Sequence, residues 1–359
     1  MLLSGISPAQ YNQVRVGLFA GISTLTCTNH SCNLFVIAFI DLEADPRTGK
    51  IFDIGAERSD GASLHCASIH ELLGFISGCS FLCGHNIIRH DLKLIGKAVG
   101  DPGWGQDKAI DTLLFSPLLF PSRPYHRLIK DTLLLPEEQS DPLEDARKAQ
   151  YLLESEIAAF ESLDVRQQNI YYSLIGDTTG FAPFFRHIQF RPIPGFNCVL
   201  EMHSAFSGRI CTHAPLAKWM ALEPVALAYA LALVSASDRY SITPPWVIYT
   251  YPKVDPIIRS LRNDPCDDCS YCNASLDGVA GLQRFFGYPA YRNFDGVPLQ
   301  EQAVASAIRH QSLLAIFPTG GGKSITFQIP ALLSGETARA PRPNRYDPLR
   351  SSAFCWAGK

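Results

Sequence analysis

Asn33 to Asp45 reads NLFVIAFIDLEAD, and this stretch decides the fold. Leu34 to Ile40 is an unbroken apolar run of branched and aromatic residues. That composition suits a central strand covered on both faces. The run ends in Asp41 and Glu43, with Asp45 close behind. Two positions apart on a strand, Asp41 and Glu43 share one face. A turn at DPRTG (45–49) and the return run KIFDIGAE predict a hairpin over 34–58. Carboxylates crowded at the exit of a buried strand repel one another and favour a cation. Sites built only from oxygen suit magnesium or manganese.

Beyond the hairpin the pattern alternates. SIHELLGFIS reads as helix, SFLCGHN as a short strand and turn, and DLKLIGKAV as helix again. In SDPLEDARKAQYLLESEIAAF, Asp141 can cap a helix, Pro142 suits its first position, and Glu144 has capping-box spacing. A long amphipathic helix to about Leu163 follows. Asp91 and Asp145 thus stand at two helix starts, where negative charge is favoured for reasons unconnected with catalysis.

Taken together, D-x-E at 41–43, an Asp after GHN (Asp91) and an Asp in DARKA (Asp145) resemble the DEDD exonucleases, which include the DnaQ-like proofreading domains. The likeness covers about residues 34–160 and includes the order of helices and strands. It implies a ribonuclease-H-like fold, two Mg2+ or Mn2+ ions on four carboxylates, and 3′→5′ removal of nucleotides. By the same likeness Asp41 bridges the ions, and Glu43 and Asp145 complete the site of the water-activating ion. Asp91 serves the ion near the leaving oxygen. The family places a His five residues before the last Asp, or a Tyr four before it; Ser140 and Asp141 stand there instead. His90 and His126 are the available substitutes, although a lone histidine is more often a satisfied structural residue.

A second motif lies near the other end. PTGGGKS (318–324) follows the apolar strand SLLAIF and opens SITFQIPALL. Successive glycines let backbone N–H groups wrap a phosphate at a helix start, with Lys323 reaching the terminal phosphates and Ser324 the magnesium. Phe317 replaces the first glycine of the general phosphate-loop pattern. The Thr319, Gly320, Gly321, Gly322, Lys323, Ser324 form instead resembles that of superfamily 2 helicases. Upstream, LQRFFGYPAYRNFDGVPLQEQAV resembles the adenine-reading segment of RecQ-type helicases. The resemblance makes Arg292 and Gln300 base contacts, with extra residues at NFDGVPL. It covers residues 281–337; no DEAH-like acidic motif or later helicase motif follows. ATP binding is therefore expected to be weak and unwinding absent, as in an exonuclease–RecQ fusion truncated after its phosphate loop.

Between the two motifs, 164–280 reads as mainly helical. PLAKWMALEPVALAYALALVSAS breaks at Pro224, and SITPPWVIYTYP is not expected to form a regular helix. Cys266, Cys269 and Cys272 place three thiols within reach of one ion such as Zn2+. A fourth ligand could come from Cys198, Cys211, His203, His213, Asp267 or Asp268; an iron–sulfur cluster or an unligated turn are the alternatives.

The domain reading is an extension (1–33), an α/β exonuclease domain (34–163), the helical middle (164–280), the helicase segment (281–337) and an irregular tail (338–359). The whole, 359 residues with 47% hydrophobic and 18% charged, fits an ordinary globular protein. A net charge of −3 gives no overall basic signature, so a nucleic-acid site must be a local groove. Eleven cysteines, an odd and mostly scattered set, argue for a reducing compartment. Without a signal peptide or an apolar run near the ~20 residues of a membrane span, the expectation is cytoplasmic with no membrane partner. Expected partners are DNA, single-stranded or at 3′ ends, with RNA as the alternative, and ATP. Two rival functions stay open: a non-enzymatic nucleic-acid-binding module, and a helicase component completed by downstream sequence.

Overall fold

β1 (Ile37–Ala44) is buried along most of its length because strands flank it on both sides. In the computed structural model it pairs antiparallel with β2 (Ile51–Arg58) and parallel with β4 (Phe81–Gly84). β3 (Ser63–Cys66) extends the sheet beyond β2, and β5 (Ala109–Asp111) extends it beyond β4. The order is β3-β2-β1-β4-β5. The expected hairpin forms at Asp45, whose carboxylate accepts the backbone N–H groups of Arg47 and Thr48, with Gly49 at φ +69°. Residues 35–100, 103–126, 128, 141–236, 243–266, 268–334 and 353–356 are described. Those after Phe35 belong to one compact unit, Val36–Lys359.

Alternation along β1 sorts its side chains between two helical layers. Ala38, Ile40 and Leu42, with Ile54 and Ala56 of β2, pack against Leu72 and Ile76 from α1 (Ile69–Phe75) and its C-cap. Ile95 of α2 (Asp91–Val99) joins the same core. The opposite face carries Asp41 and Glu43 and is crossed by α4 (Pro142–Ser162). As the sequence suggests, Asp141 is the N-cap, accepting from Leu143 N at 3.0 Å, and Pro142 opens the helix. The capping box does not close: Glu144 bonds Arg147 instead. The ion pair is one turn away, and the N-cap acid already satisfies a helix-start N–H.

α3 (Thr112–Leu119) and α4 share an aromatic core with the following helices, α5 (Val165–Ile175) and α6 (Ala182–His187). Phe115 stacks on Phe184 at 4.1 Å between centroids, and Phe160 meets Phe184 and Phe185 edge-on. Packing therefore runs on across Leu163, where sequence alone draws a boundary. The helical middle continues as α7 (Cys198–Ala205), α8 (Leu216–Leu222), α9 (Pro224–Ser235), α10 (Pro245–Thr250), α11 (Val254–Arg262) and α12 (Ser270–Ser275). α9 is apolar on every side and buried along its length. α10 shows that PPWVIYT does form one short helix, with Pro244 as its N-cap and Pro245 at its start.

The last elements are α13 (Gly278–Phe286), α14 (Leu299–Ile308), β6 (Leu313–Ile316) and α15 (Ile325–Ser334). Ala353–Trp356 is a strand, β7, pairing antiparallel with β6. To that extent the tail expected to be irregular is ordered, and its other residues lie outside those described. The 1–33 extension also lies outside them.

Candidate functional site

Asp41 and Glu43 leave β1 on the α4 face, opposite Gly55 and Asp53 of β2. Gly55 is what lets α4 begin there. A Cβ at that position would lie 2.1 Å from Leu143 N and from Pro142 C. Backbone against backbone cannot yield, so only glycine lets the helix start rest on the strand beside Asp41. Asp145, in that first turn, is consequently carried to the same end of the sheet, where it pairs with Lys148 at 3.0 Å and is only 12% exposed.

The parallel pairing of β1 with β4 runs from Ile37 to Phe39. Farther along, the Leu42 N–H donates to Asp91 Oδ1 at 3.0 Å. Asp91 thus occupies the place beside β1 that β4 has left, and it is 1% exposed. The GHN turn leading to it is shaped by Asn86 at φ +68° and pinned by Asp111. The Asp111 carboxylate takes N–H bonds from Asn86, Ile88 and Leu113. Burial holds the Asp111 carboxyl up at about 6 despite those bonds.

The electrostatics join the four acids. Burial first, then the charges of Asp91, Asp145 and Glu43, push the Asp41 carboxyl up to about 7; His90 pulls the other way. Burial also raises Asp91. His90 Nδ1 lies 3.4 Å from Asp91 Oδ1, and that contact raises its pKa, with Asp41 and Glu43 adding to the rise. No three of the four acids bring ligand oxygens within 4.8 Å of one another. The quartet is a convergence of charge rather than a closed cage.

The two substitute histidines part company. His90 stands half-exposed at the acid cluster. His126 is buried and bonds Ser116 Oγ at 2.8 Å. Ser140 lies outside the described residues, and Asp141 is committed to its cap. His85 and Asp111, which the sequence reading passed over, are the groups that shape the turn. His85 Nδ1 meets Thr112 Oγ1 at 3.0 Å, and burial holds its pKa down at about 4. Asp-Thr before an apolar helix is an N-cap signal that marks Asp111.

At the second motif, β6, a glycine loop and α15 follow in the expected order, with Gly320 and Gly322 at positive φ. The extra residues at NFDGVPL fold back as a tight turn. Phe294 and Val297 exchange both backbone hydrogen bonds across Asp295 and Gly296. This turn brings Arg292 and Gln300 together: Gln300 Oε1 accepts from Arg292 N at 2.9 Å. Both then reach the loop. Gln300 Nε2 donates to Gly321 O, and the Arg292 guanidinium to Gly320 O. Gln300 is 1% exposed, so in this structure its amide braces the loop and presents no free edge to a base. Lys323 is partly buried; Thr319 and Ser324 are exposed.

The cysteines converge. Cys211, Cys266, Cys269 and Cys272 bring their sulfurs within 4.8 Å of one another and could hold a metal ion such as zinc. Of the other candidate ligands, Cys198 and His203 lie on α7 outside the group, and Asp267 lies outside the described residues. His213 and Asp268 form a second, more exposed group with Cys266. Burial raises the Cys211 thiol to about 11. Burial pushes Cys269 up too, but N–H bonds from Cys272 and Thr212, together with the Cys266 and Cys272 thiols, bring that thiol down to about 6.

Among the described residues, no helix is long and apolar enough to cross a membrane. No family model and no solved structure matches the chain.

Proposed function

We propose that this chain is a divalent-metal-dependent 3′→5′ exonuclease acting on DNA, with a ribonuclease-H-like arrangement of its sheet. The observation that carries the reading is the meeting of four acids at one end of the sheet. Asp41 and Glu43 stand at the exit of β1, Asp91 is bonded to the Leu42 N–H between them, and Asp145 lies in the α4 turn that rests on Gly55. Burial together with this crowding lifts the Asp41 carboxyl to about 7. Four acids do not gather at a buried strand end without cost. Lys148 on Asp145 and the Leu42 N–H on Asp91 offset part of it, and a hard cation is the natural complement for the rest. The strand order β3-β2-β1-β4-β5, with β2 antiparallel, supports the same reading.

The donor set is all carboxylate, the chemistry that suits magnesium or manganese. Because no three of its oxygens lie within 4.8 Å of one another, the side chains would have to close on the ions as these bind. Asp41, Glu43 and Asp145 would hold one ion, and Asp41 with Asp91 the other. A bound ion pair would activate water and neutralise charge on the attacked phosphate and the leaving oxygen. Around it, Gly55 sets the position of Asp145, Asp111 holds the turn that delivers Asp91, and His90, its pKa raised by Asp91, stands at the mouth of the site. Hydrolysis joins the water oxygen to phosphorus and breaks the bond to the 3′ oxygen of the preceding nucleotide. Each cycle releases a 5′-monophosphate and leaves a strand one nucleotide shorter.

Purified full-length chain with magnesium or manganese should convert a 5′-labelled DNA strand into a ladder, and Asp41→Ala should abolish it. A ladder that persists in Asp41→Ala overturns the assignment. One observation favours a second reading, a nucleic-acid-binding module without catalysis: Asp141 is spent on its cap. That reading predicts DNA binding with no ladder even in manganese. The glycine loop is proposed to bind ATP weakly, with affinity lost in Lys323→Ala.

A further inference from the structure

The C-x2-C-x2-C run supplies three thiols, and tertiary structure supplies a fourth from 55 residues earlier. Cys211 Sγ lies 3.5 Å from Cys266 Sγ and 3.9 Å from Cys269 Sγ. A tetrahedral zinc with Zn–S bonds of ~2.3 Å sets its sulfurs ~3.8 Å apart. The observed spacings bracket that edge, whereas a disulfide would need ~2.05 Å. A multi-iron cluster would spread its cysteine sulfurs well past the 4.8 Å that bounds this group. The group is also mostly enclosed: Cys211, Cys269 and Cys272 are each 3% exposed. Two of the sulfurs already receive backbone N–H bonds, Cys211 from His213 at 3.3 Å and Cys269 from Cys272 at 3.2 Å. Such donors orient a thiolate ligand and offset its charge.

We infer that Cys211, Cys266, Cys269 and Cys272 form a structural zinc site that ties the helical middle to the glycine-loop elements. Its position gives the site that role. On one side, Cys211 N donates to Leu261 O of α11 at 2.8 Å, so the loop after α7 is laid along the end of α11. On the other, the residues just before Cys266 grip the C-terminal elements. Asn263 Nδ2 donates to Ser334 O at the end of α15, and Asn263 O meets His310 Nε2 beyond α14 at 2.9 Å. Segment 206–214 is anchored by buried Phe206 and Ile210, whereas 263–269 offers no large apolar side chain to pack. A four-thiolate ion supplies the ordering free energy that packing does not give the second segment. His213 and Asp268, 3.6 Å apart and largely exposed, flank the site on its outer side.

Metal analysis of the reduced full-length chain should give one zinc per chain. Cys211→Ser should weaken zinc binding by more than the roughly 10- to 100-fold that loss of an outer-sphere partner costs. Cys198→Ser, a buried cysteine outside the group, should retain the ion, which separates ligand loss from general misfolding. Cobalt substituted into the wild-type chain should show thiolate charge-transfer and intense tetrahedral bands. Removing zinc should speed hydrogen exchange at 206–214 and 263–275 and beside His310 and Ser334, leaving β1 and β4 unchanged. Iron in place of zinc, an ion retained in full by Cys211→Ser, or four freely titrating thiols with no metal would overturn the site. Unaltered exchange after zinc removal would overturn its role as a tie. None of these outcomes bears on the magnesium-dependent ladder, so this inference and the exonuclease reading fail separately.

Discussion

Replacing Asp41 by Asn tests the convergence of the acids without reference to catalysis. In the folded chain the Asp41 carboxyl is lifted from its ordinary 3.8 to about 7, first by burial and then by Asp91, Asp145 and Glu43. A raised folded-state pKa in an acid means that ionisation works against folding. The penalty is absent below pH ~4, grows as the pH rises to ~7, and is constant above that. At ~1.4 kcal/mol for each tenfold step, the difference between 3.8 and about 7 corresponds to ~4 kcal/mol; solvent screening at the partly open site lowers this to ~2–4 kcal/mol. Asn has the same shape and no charge. Asp41→Asn should therefore be more stable than the wild type by ~2–4 kcal/mol at pH 8 in EDTA, and within ~1 kcal/mol of it at pH 4. Urea unfolding, with hydrogen exchange at β1 as the local probe, reads both values. Magnesium should reverse the order, stabilising the wild type and leaving the variant nearly unchanged. A variant no more stable than the wild type at pH 8 in EDTA would show that the acids do not crowd one another.

Three further outcomes follow from the geometry. Gly55→Ala puts a methyl group into the backbone of the α4 start. It should cost on the order of 3 kcal/mol by urea unfolding and, through displacement of Asp145, about 100-fold in magnesium-dependent turnover. Glu156 is fully buried, neither of its carboxyl oxygens has a hydrogen-bond partner, and burial raises its pKa well above the usual range. Since a raised acid pKa removes stability as pH climbs, Glu156→Gln should stabilise the fold by roughly 1–3 kcal/mol at pH 8 and less at pH 4.5. His85 and His126 are both held down to about 4, chiefly by burial. A lowered histidine pKa gives stability that is complete above ~6.5 and lost as pH falls toward ~4, at ~2–3 kcal/mol for each ring. Asp111, raised to about 6, opposes part of this loss. Replacing both histidines by Asn should flatten the decline in urea midpoint between pH 6.5 and 4.5.

Much of the sheet domain is written in local pattern. The apolar run before Asp41, the Asx turn at Asp45 and the Asp141-Pro142 helix start are set by residues a few positions apart. Backbone preference and burial periodicity act over that range, so hairpin and helix are legible from them. The same holds for β6, the glycine loop and α15. The shared face of Asp41 and Glu43 also follows from strand alternation alone.

What tertiary structure decided is everything that depends on partners far along the chain. Asp91 reaches β1 because β4 stops pairing at Phe39 and leaves the Leu42 N–H to be satisfied. Asp145 arrives because Gly55, ninety positions earlier, has no side chain to hold α4 away. Glu144 has the spacing of half a capping box, but in the fold it pairs with Arg147. Gln300, which sequence spacing offered to a base, is turned onto the glycine loop by the fold-back at Asp295 and Gly296. Cys211 has no local signature as a ligand, and only the packing of its loop on α11 carries it to the other three thiols. Sequence specified which groups could do chemistry, since residue type and short spacing are local properties. Which of them meet is settled by backbone clearance and by hydrogen bonds that only long-range contacts can complete.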